Sequence, residues 1–286
     1  MTVIQARPRV LVAADEWAVR SLVQRDQVLN CVVDSRLQQA PDLNPQRLGG
    51  YLWGVGNGDS AGTELRAAAF SGGNLVPVGE DLAALELIAG QLARGGRSCS
   101  SIVGAAESVA VMWPLLARRW GPARAIRASQ PLLMTRSVPD IEPDPAVRRV
   151  RPDDLSRFLP AAVSMFTEEL GISPIGPDAG RGYRARVAEL IAAGRAFARF
   201  DADGEVEFKA EIGVLGRATA QLQGVWVRPD LRRRGVATAA MTAVLGYALE
   251  LAPSVSLYVN DYNEAGRRLY DRLGLRQVAT LTTVLF

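Results

Sequence analysis

The sequence contains no histidine, and this absence excludes several kinds of active site. A Ser-His or Cys-His catalytic pair cannot form, and the commonest ligand of protein-bound zinc is missing. Lysine is nearly absent as well, because Lys209 is the only one in 286 residues. Any proton transfer must therefore use a carboxylate, a tyrosine, a chain terminus or water.

Other scarcities limit the compartment and the partners. The two cysteines, Cys31 and Cys99, have neither metal-type nor redox-type spacing, which favours buried thiols in a reducing compartment. No uncharged apolar run approaches the roughly 20 residues that cross a bilayer, and the first residues lack the apolar segment of a signal peptide. The net charge of +3 is too small to indicate nucleic-acid binding. We therefore expect a cytoplasmic protein with no membrane and no nucleic acid among its partners.

The chain is long enough for two domains, and its composition is that of a globular protein, with 48% hydrophobic and 22% charged residues. Residues 138–146 contain three prolines and predict an extended linker between domains at 1–137 and 147–286. Near the start of each half, the pattern predicts a helix over 16–29 with Asp15 as its cap and a helix over 155–170 with Asp153 as its cap. Both halves then end in the order strand, helix, strand, helix, strand, which indicates an α/β (α+β) fold and an internal repeat.

Residues 224–240 combine a short strand, a basic glycine loop and the start of a helix. The apolar run Val225-Trp226-Val227 is typical of a strand, and Pro229 ends it. The loop through Gly235 then leads into an alanine-rich helix. The first N–H groups of a helix have no internal partner and lie at the positive end of its dipole. This stretch therefore predicts a binding site for a phosphate group.

The loop reads Arg232-x-x-Gly235-x-Ala237, which resembles the pyrophosphate loop of the GCN5-related N-acetyltransferases, the GNAT family. About one strand later, Asn263-x-Ala265-x-x-x-Leu269-Tyr270-x-x-x-Gly274-Leu275 is similar to the family's helix motif, although Ala265 comes one residue early and Leu275 replaces the usual phenylalanine. The resemblance covers about residues 147–286. Together with the internal repeat, it implies tandem GNAT-like domains with a mixed central sheet, flanking helices and a splayed strand pair in the C-terminal copy.

The resemblance also implies acetyl-coenzyme A as donor and a primary amine, on a small molecule or a protein, as acceptor. The implied cofactor-binding residues are Val225, Trp226, Val227, Arg232, Arg233, Arg234, Gly235, Val236, Ala237, Thr238, Asn260 and Asn263. Tyr270 matches the general acid that protonates the departing thiolate, and Glu168, Glu169 and Tyr183 border the acceptor pocket by family position. No metal is implied, and a homodimer is left open. A helix cap is the alternative role for Asn263, and core packing is the alternative role for Tyr270.

The general base has two candidates. Glu211 lies in the expected strand 206–215, beside the strand that would hold the thioester. The alternation of this strand places Glu211 on one face with Lys209, opposite Phe208 and Ile212, and an ion pair with Lys209 is its alternative role. The other candidate is the α-carboxylate of Phe286, which directly follows an apolar strand and is expected close to the splay.

The first half is expected to lack a cofactor site. After Val78 it reads Gly79-Glu80-Asp81, without a glycine loop, and this carboxylate pair would repel a pyrophosphate. A competing pattern, Gly56-x-Gly58-x-x-Ala61, fits a dinucleotide-binding loop, but the helix it needs would be too short, so a hairpin turn is favoured. Two alternatives to the acetyltransferase remain: an acetyl-coenzyme A sensor without turnover, and an acyl or aminoacyl transferase with a larger donor.

Overall fold

The computed structural model describes residues 7–176 and 179–286, which form a single mixed sheet of 12 strands with helices on both faces. The strands are β1 (Arg9–Val10), β2 (Gly50–Gly56), β3 (Leu65–Gly72), β4 (Asn74–Val78), β5 (Ser101–Ala105), β6 (Ala125–Thr135), β7 (Arg148–Arg149), β8 (Ala196–Phe200), β9 (Val206–Leu215), β10 (Ala220–Val227), β11 (Val255–Tyr258) and β12 (Arg276–Leu285). The helices are α1 (Glu16–Gln24), α2 (Cys31–Gln39), α3 (Pro45–Leu48), α4 (Leu82–Arg94), α5 (Ala106–Trp120), α6 (Leu155–Leu170), α7 (Arg181–Ala192), α8 (Val236–Leu249) and α9 (Glu264–Arg272).

The two halves of the chain exchange their last strands. The sheet order is β1-β2-β3-β4-β5-β12-β6-β11-β10-β9-β8-β7, so β12 pairs with β5 of the first half and β6 pairs with β11 of the second. The two exchanged strands also pair antiparallel with each other at the centre of the sheet. Each half therefore completes its sheet with a strand from the other half, and the boundaries at 137 and 147 do not separate two independent sheets.

Each half buries one apolar cluster on each face of its part of the sheet. In the second half, β9 alternates strictly: Phe208 and Ile212 pack under α8, whereas Lys209 and Glu211 face α6 and α7. In the first half, one cluster lies under α1 to α3 and the other under α4 and α5. The alternation predicted for β9 is thus confirmed, and its polar face is as deeply covered as its apolar face.

Two local expectations for the helices are wrong. The helix expected over 16–29 ends at Gln24, because the Asp26 carboxylate accepts hydrogen bonds from the backbone N–H groups of Val28 and Leu29. A second helix, α2, follows it instead. The carboxylate at the start of α6 belongs to Asp154 and not to Asp153, because Asp154 accepts the N–H of Arg151 at 2.9 Å.

The proline-rich linker lies against the second half. Ile141 packs on the apolar cluster beneath α8, and Asp144 forms an ion pair with Arg199 at 2.8 Å. The region of the competing glycine pattern is the turn of an antiparallel hairpin, because β2 and β3 pair directly on either side of it. That pairing excludes a dinucleotide-binding crossover there. Within residues 7–176 and 179–286, no helix is long and apolar enough to cross a membrane.

Candidate functional site

The parallel strands β10 and β11 separate after only two residue pairs. Ala220 pairs with Val255 and Gln221 with Ser256, and beyond them β11 pairs only with β6. A cavity of about 480 Å³ opens between the separating strands. The splayed pair that the sequence predicted is therefore present. It exposes backbone of β10 that has no partner in β11.

A β-bulge in β10 lies at the mouth of this cavity. Its register with β9 shifts between Gln223 and Trp226, and Gly224 within the shift has a φ of +60°, which favours glycine. Lys209 donates a hydrogen bond to the Gly224 carbonyl at 3.0 Å and forms an ion pair with Glu211 at 2.8 Å. Both charged side chains are buried. The only lysine of the protein thus anchors the bulge that opens the cavity.

The basic loop leads into the N-terminus of α8, as the sequence predicted. Arg233 and Gly235 both have positive φ values, of 62° and 82°, which turns successive N–H groups toward one side of the loop. The amides of Val236 and Ala237 have no hydrogen-bond acceptor among the described residues, whereas Thr238 donates to the Gly235 carbonyl. A Cβ atom added at Gly235 would meet nothing within 4 Å. The end of α8 is therefore open to a phosphate.

The arginines of the loop differ in their surroundings. Arg233 and Arg234 are exposed and form no ion pair with any residue in the described ranges. Arg232 instead donates to the Val227 carbonyl at 2.9 Å and forms an ion pair with Glu168 at 2.7 Å. Its role toward a phosphate stays a prediction, since its guanidinium already has two partners.

The corresponding helix of the first half is closed to an anion. Asp81 accepts the N–H of Ala84 at 2.9 Å at the start of α4, and Arg66 forms an ion pair with the same carboxylate. The strands β4 and β5 of the first half approach each other closely at Pro77 and Gly104. A Cβ at Gly104 would lie 2.6 Å from the ring of Pro77, so these strands are in close contact where β10 and β11 separate. The absence of a donor site from the first half stays a prediction, which these contacts support.

Tyr270 lines the cavity at the splay. It extends from α9 and is 7% exposed, and burial raises the pKa of its phenol above the ordinary value, with a further contribution from Glu169. The hydroxyl group therefore keeps its proton at neutral pH. Tyr270 also packs in the core beneath α8, as its structural alternative predicted, and its role as general acid stays a prediction.

The two asparagines predicted to bind the cofactor also line this cavity. Asn263 caps α9 by accepting the N–H of Gly266 at 3.0 Å, which confirms the structural alternative for this residue. Asn260 accepts a hydrogen bond from Gln130 at 2.9 Å. Val225 and Trp226 lie in the wall of the cavity, whereas Val227 does not reach it. The indole N–H of Trp226 donates to Glu168 at 3.0 Å.

The glutamate pair at the end of α6 reaches the same cavity. Glu168 is held by Trp226 and Arg232, and Glu169 is paired with Arg127 at 3.0 Å. Tyr183 does not line this cavity but a groove beside it, where its hydroxyl donates to the Ala162 carbonyl. Burial raises the pKa of Tyr183, and Glu211 and Glu169 raise it further.

The structure contradicts the prediction for Phe286. The Phe286 amide donates to Ser100, and its ring packs against Trp113 and Trp120 in the first half. The Arg124 N–H donates to the Leu285 carbonyl, so the end of β12 lies beside Arg124. Gln130, which lies at the splay, is six residues further along the chain, or roughly 20 Å at 3.3 Å per residue of extended strand. The strand exchange is the physical reason, because β12 runs away from β11 and into the first half. The Phe286 carboxylate therefore does not lie near the splay, where the prediction placed it.

Sequence reasoning missed Arg127 and Gln130, both of which reach the site from β6. The Arg127 guanidinium donates to both the carboxylate and the backbone carbonyl of Glu169. Gln130 donates to Asn260 and accepts from the Thr283 hydroxyl. Because β6 belongs to the first half in sequence, only the strand exchange reveals their place. No local pattern indicates it.

Glu211 lies where the two spaces meet. It lines the groove and not the cavity, but a Cβ at Gly224 would lie 3.4 Å from its carboxylate, and Gly224 borders both spaces. Gln223 donates to the same carboxylate at 3.3 Å. Among the described residues, no cluster of three or more histidine, cysteine or acidic side chains could hold a metal ion.

Comparison with known proteins gives two family models and many similar structures. Residues 184–275 match the model described as the acetyltransferase (GNAT) family, and residues 50–158 match a domain of unknown function, DUF4081. No curated protein matches the sequence.

The similar structures span both halves of the chain. An acetyltransferase of the GNAT family from Colwellia psychrerythraea has a TM-score of 0.55 and 10% identity over 98% of this chain and 99% of its own. A Drosophila protein has a TM-score of 0.63 and 14% identity, with the same coverage. A tandem GNAT protein from the clavulanic acid biosynthesis pathway has a TM-score of 0.54 and 13% identity over 98% of each chain. These likenesses show the fold: a tandem of GNAT-like halves.

Proposed function

Because residues 184–275 form a GNAT acetyltransferase domain, we propose that this protein transfers an acetyl group from acetyl-coenzyme A to a primary amine. One observation carries the proposal. The open N-terminus of α8, the splay between β10 and β11, and the protonated phenol of Tyr270 occur together in the second half. The first half blocks its equivalent helix with Asp81, so we propose one donor site per chain.

The residues present fit acetyl-coenzyme A. The amides of Val236 and Ala237 and the guanidinium groups of Arg233 and Arg234 would hold the pyrophosphate. The unpaired edge of β10 at Val225 would bond the amides of the pantetheine as an added strand does. When bound, acetyl-coenzyme A supplies the acetyl group as an activated thioester.

The side chains around the cavity divide the proton transfers between them. Tyr270 donates its phenolic proton to the departing sulfur, because burial keeps that proton in place until it is needed. Glu211 takes the proton that the acceptor amine must lose before it attacks. Glu169 borders both the cavity and the groove and would attract a cationic amine toward the splay.

Release of free coenzyme A in the presence of a panel of primary amines tests the proposal. Amine-dependent release by wild type, lost in Tyr270→Phe, is the expected result. Tight binding of acetyl-coenzyme A without release would instead support the non-catalytic sensor, a candidate that the ion pair between Lys209 and Glu211 favours because it occupies the carboxylate. Release only with a longer acyl donor would support the transferase with a larger donor.

We further propose that the protein acts in the cytoplasm on a small-molecule or protein amine. The scarcity of cysteine and the absence of a long apolar helix in the described ranges are consistent with this, and fractionation of the native cells would test it.

A further inference from the structure

A groove of about 700 Å³ continues from the splay toward the first half. The groove and the cavity of Tyr270 share Met165, Glu169, Gln223, Gly224 and Tyr258 in their walls, so a ligand can extend from one into the other. One wall of the groove comes from α6, α7 and β9, and the opposite wall comes from α2, β4 and β5. An acceptor that reaches the splay through this groove therefore contacts both halves of the chain.

The charges in the groove are unbalanced. Arg127 is neutralised by Glu169, and Glu211 by Lys209. Three further arginines line the groove and form no ion pair or side-chain hydrogen bond with any residue of the described ranges: Arg36, Arg186 and Arg195. Among the described residues that line the groove, Glu189 carries the only carboxylate without an ion pair. The groove thus has an excess of positive charge at some distance from the splay.

Arg36 and Arg186 form the centre of this excess. Arg36 extends from α2 in the first half and Arg186 from α7 in the second, and both line the groove. Burial lowers the pKa of Arg36, and the charge of Arg186 lowers it further. The Arg36 guanidinium lies 5.8 Å from the centre of the Phe70 ring. An anion bound between two like charges lowers their electrostatic repulsion.

We propose that the acceptor is an amine that also carries an anionic group, a carboxylate or a phosphate, which binds between Arg36 and Arg186. Its amine end then lies at Glu169 and Glu211, where the carboxylates meet the splay. This inference rests on the proposed acetyltransferase function and adds to it the class of acceptor. It also gives the first half a role, because that half contributes Arg36 although its own donor site is closed.

Three amines of matched length test the inference: 5-aminopentanoate, 4-aminobutyl phosphate and pentylamine. KM for each is measured by coenzyme A release with wild type, Arg36→Gln, Arg36→Lys and the control Arg119→Gln, an exposed arginine on α5 outside the groove. In wild type, at least one of the two anionic amines should have a KM at least tenfold below that of pentylamine. Arg36→Gln should raise that KM about 10- to 100-fold, as expected for one charge-assisted contact, and leave pentylamine unchanged.

Arg36→Lys should restore part of the preference, whereas Arg119→Gln should change nothing. The amine with the lower KM identifies the anion as carboxylate or phosphate. Equal KM values for all three amines in wild type would overturn the inference and leave the acetyltransferase proposal standing.

If no amine releases coenzyme A, calorimetric titration with glutarate and with inorganic phosphate still decides the question. Binding to wild type that weakens at least tenfold in the Arg36→Gln, Arg186→Gln double variant, with its melting temperature preserved, supports an anion site. Binding that is absent, or equal in both proteins, overturns it.

Discussion

Arg148 and Asp154 are joined by two hydrogen bonds, of 2.6 and 3.1 Å, and the same carboxylate accepts the N–H of Arg151. Arg9 and Asp15 repeat this arrangement 139 positions earlier, with two bonds of 2.6 Å and a third from the N–H of Val12. In both places the pair ties a short strand to the start of the next helix. The two halves are therefore repeated in side-chain detail as well as in element order.

The first prediction concerns the buried carboxylate of this repeat. Burial would raise the pKa of Asp15, but hydrogen bonds from Arg9, Val12 and Gly62 outweigh it and hold the pKa at about 2. Because this value lies below the ordinary one of about 3.9, the stabilisation is present above pH 4 and is lost as the pH falls toward 2. We expect Asp15→Asn to lower the free energy of unfolding by about 1–3 kcal/mol at pH 7.

Urea unfolding at several pH values measures this effect. The difference between wild type and Asp15→Asn should shrink between pH 4 and pH 2, and the exposed Asp153→Asn serves as control. A difference that is the same at pH 7 and pH 2 would show that the ion pair is not its cause.

The second prediction follows from the exchange of β6 and β12. A fragment of residues 147–286 lacks β6 and has no partner for β11 on that side, and a fragment of residues 1–137 lacks β12. Each fragment should be largely unfolded alone by circular dichroism, because an open edge in the middle of a sheet leaves backbone groups unpaired. Together the fragments should associate and recover the native spectrum. Two fragments that fold separately would instead show that each half is an independent domain with the boundaries expected from the sequence.

The third prediction concerns the loop before α8. Gly235→Glu should raise the dissociation constant of acetyl-coenzyme A at least tenfold, because the new carboxylate would lie beside the bound pyrophosphate. Gly96→Glu is a matched control, since Gly96 is also exposed, has a φ of +77° and has open space around it. Calorimetry should give one site per chain in wild type. Two equivalent sites would contradict the closed first half.

The fourth prediction concerns Tyr270. Tyr270→Phe should lower kcat by roughly 10²–10⁴-fold and leave the dissociation constant of acetyl-coenzyme A nearly unchanged. Tyr247→Phe is the control, because Tyr247 is another partly buried tyrosine of the same half and lies outside the cavity. Since burial raises the pKa of Tyr270, the alkaline fall in kcat of wild type should lie above pH 10. A kcat equal to that of wild type would leave Tyr270 with a packing role only.

The fifth prediction concerns the base. In wild type, kcat/KM should fall at acid pH, because a carboxylate must be ionised to accept a proton. Glu211→Gln should lower kcat/KM and remove this acidic limb. Because that variant leaves Lys209 buried without its partner, the double variant Lys209→Met, Glu211→Gln repeats the measurement without the unpaired charge.

A chain extended by two glycines after Phe286 should keep the wild-type profile, since Phe286 lies among the aromatic rings of the first half. If the acidic limb of the pH profile persists in both Glu211 variants, the general base is Glu169 or a water molecule instead.

The elements nearest to the cofactor site follow closely from the sequence. The helix over 155–170 and the strand over 206–215 have the predicted bounds, and the glycine loop leads into α8 as expected. The errors occur where a side chain competes locally with the backbone, as Asp26 does at the end of α1. The repeat of Arg9 and Asp15 by Arg148 and Asp154 was readable as the same six-residue spacing before a helix in each half.

The sequence by itself indicated the repeat of elements in the two halves and the glycine loop that leads into α8, because both depend on residues close together in the chain. Only the tertiary structure decided which strands neighbour β6 and β12, since every extended strand offers the same backbone groups and local sequence does not select the partner. Because of this strand order, Phe286 lies away from the splay, whereas Arg127 and Gln130 lie close to it. The same order also placed the two halves so that Arg36 and Arg186 line one groove.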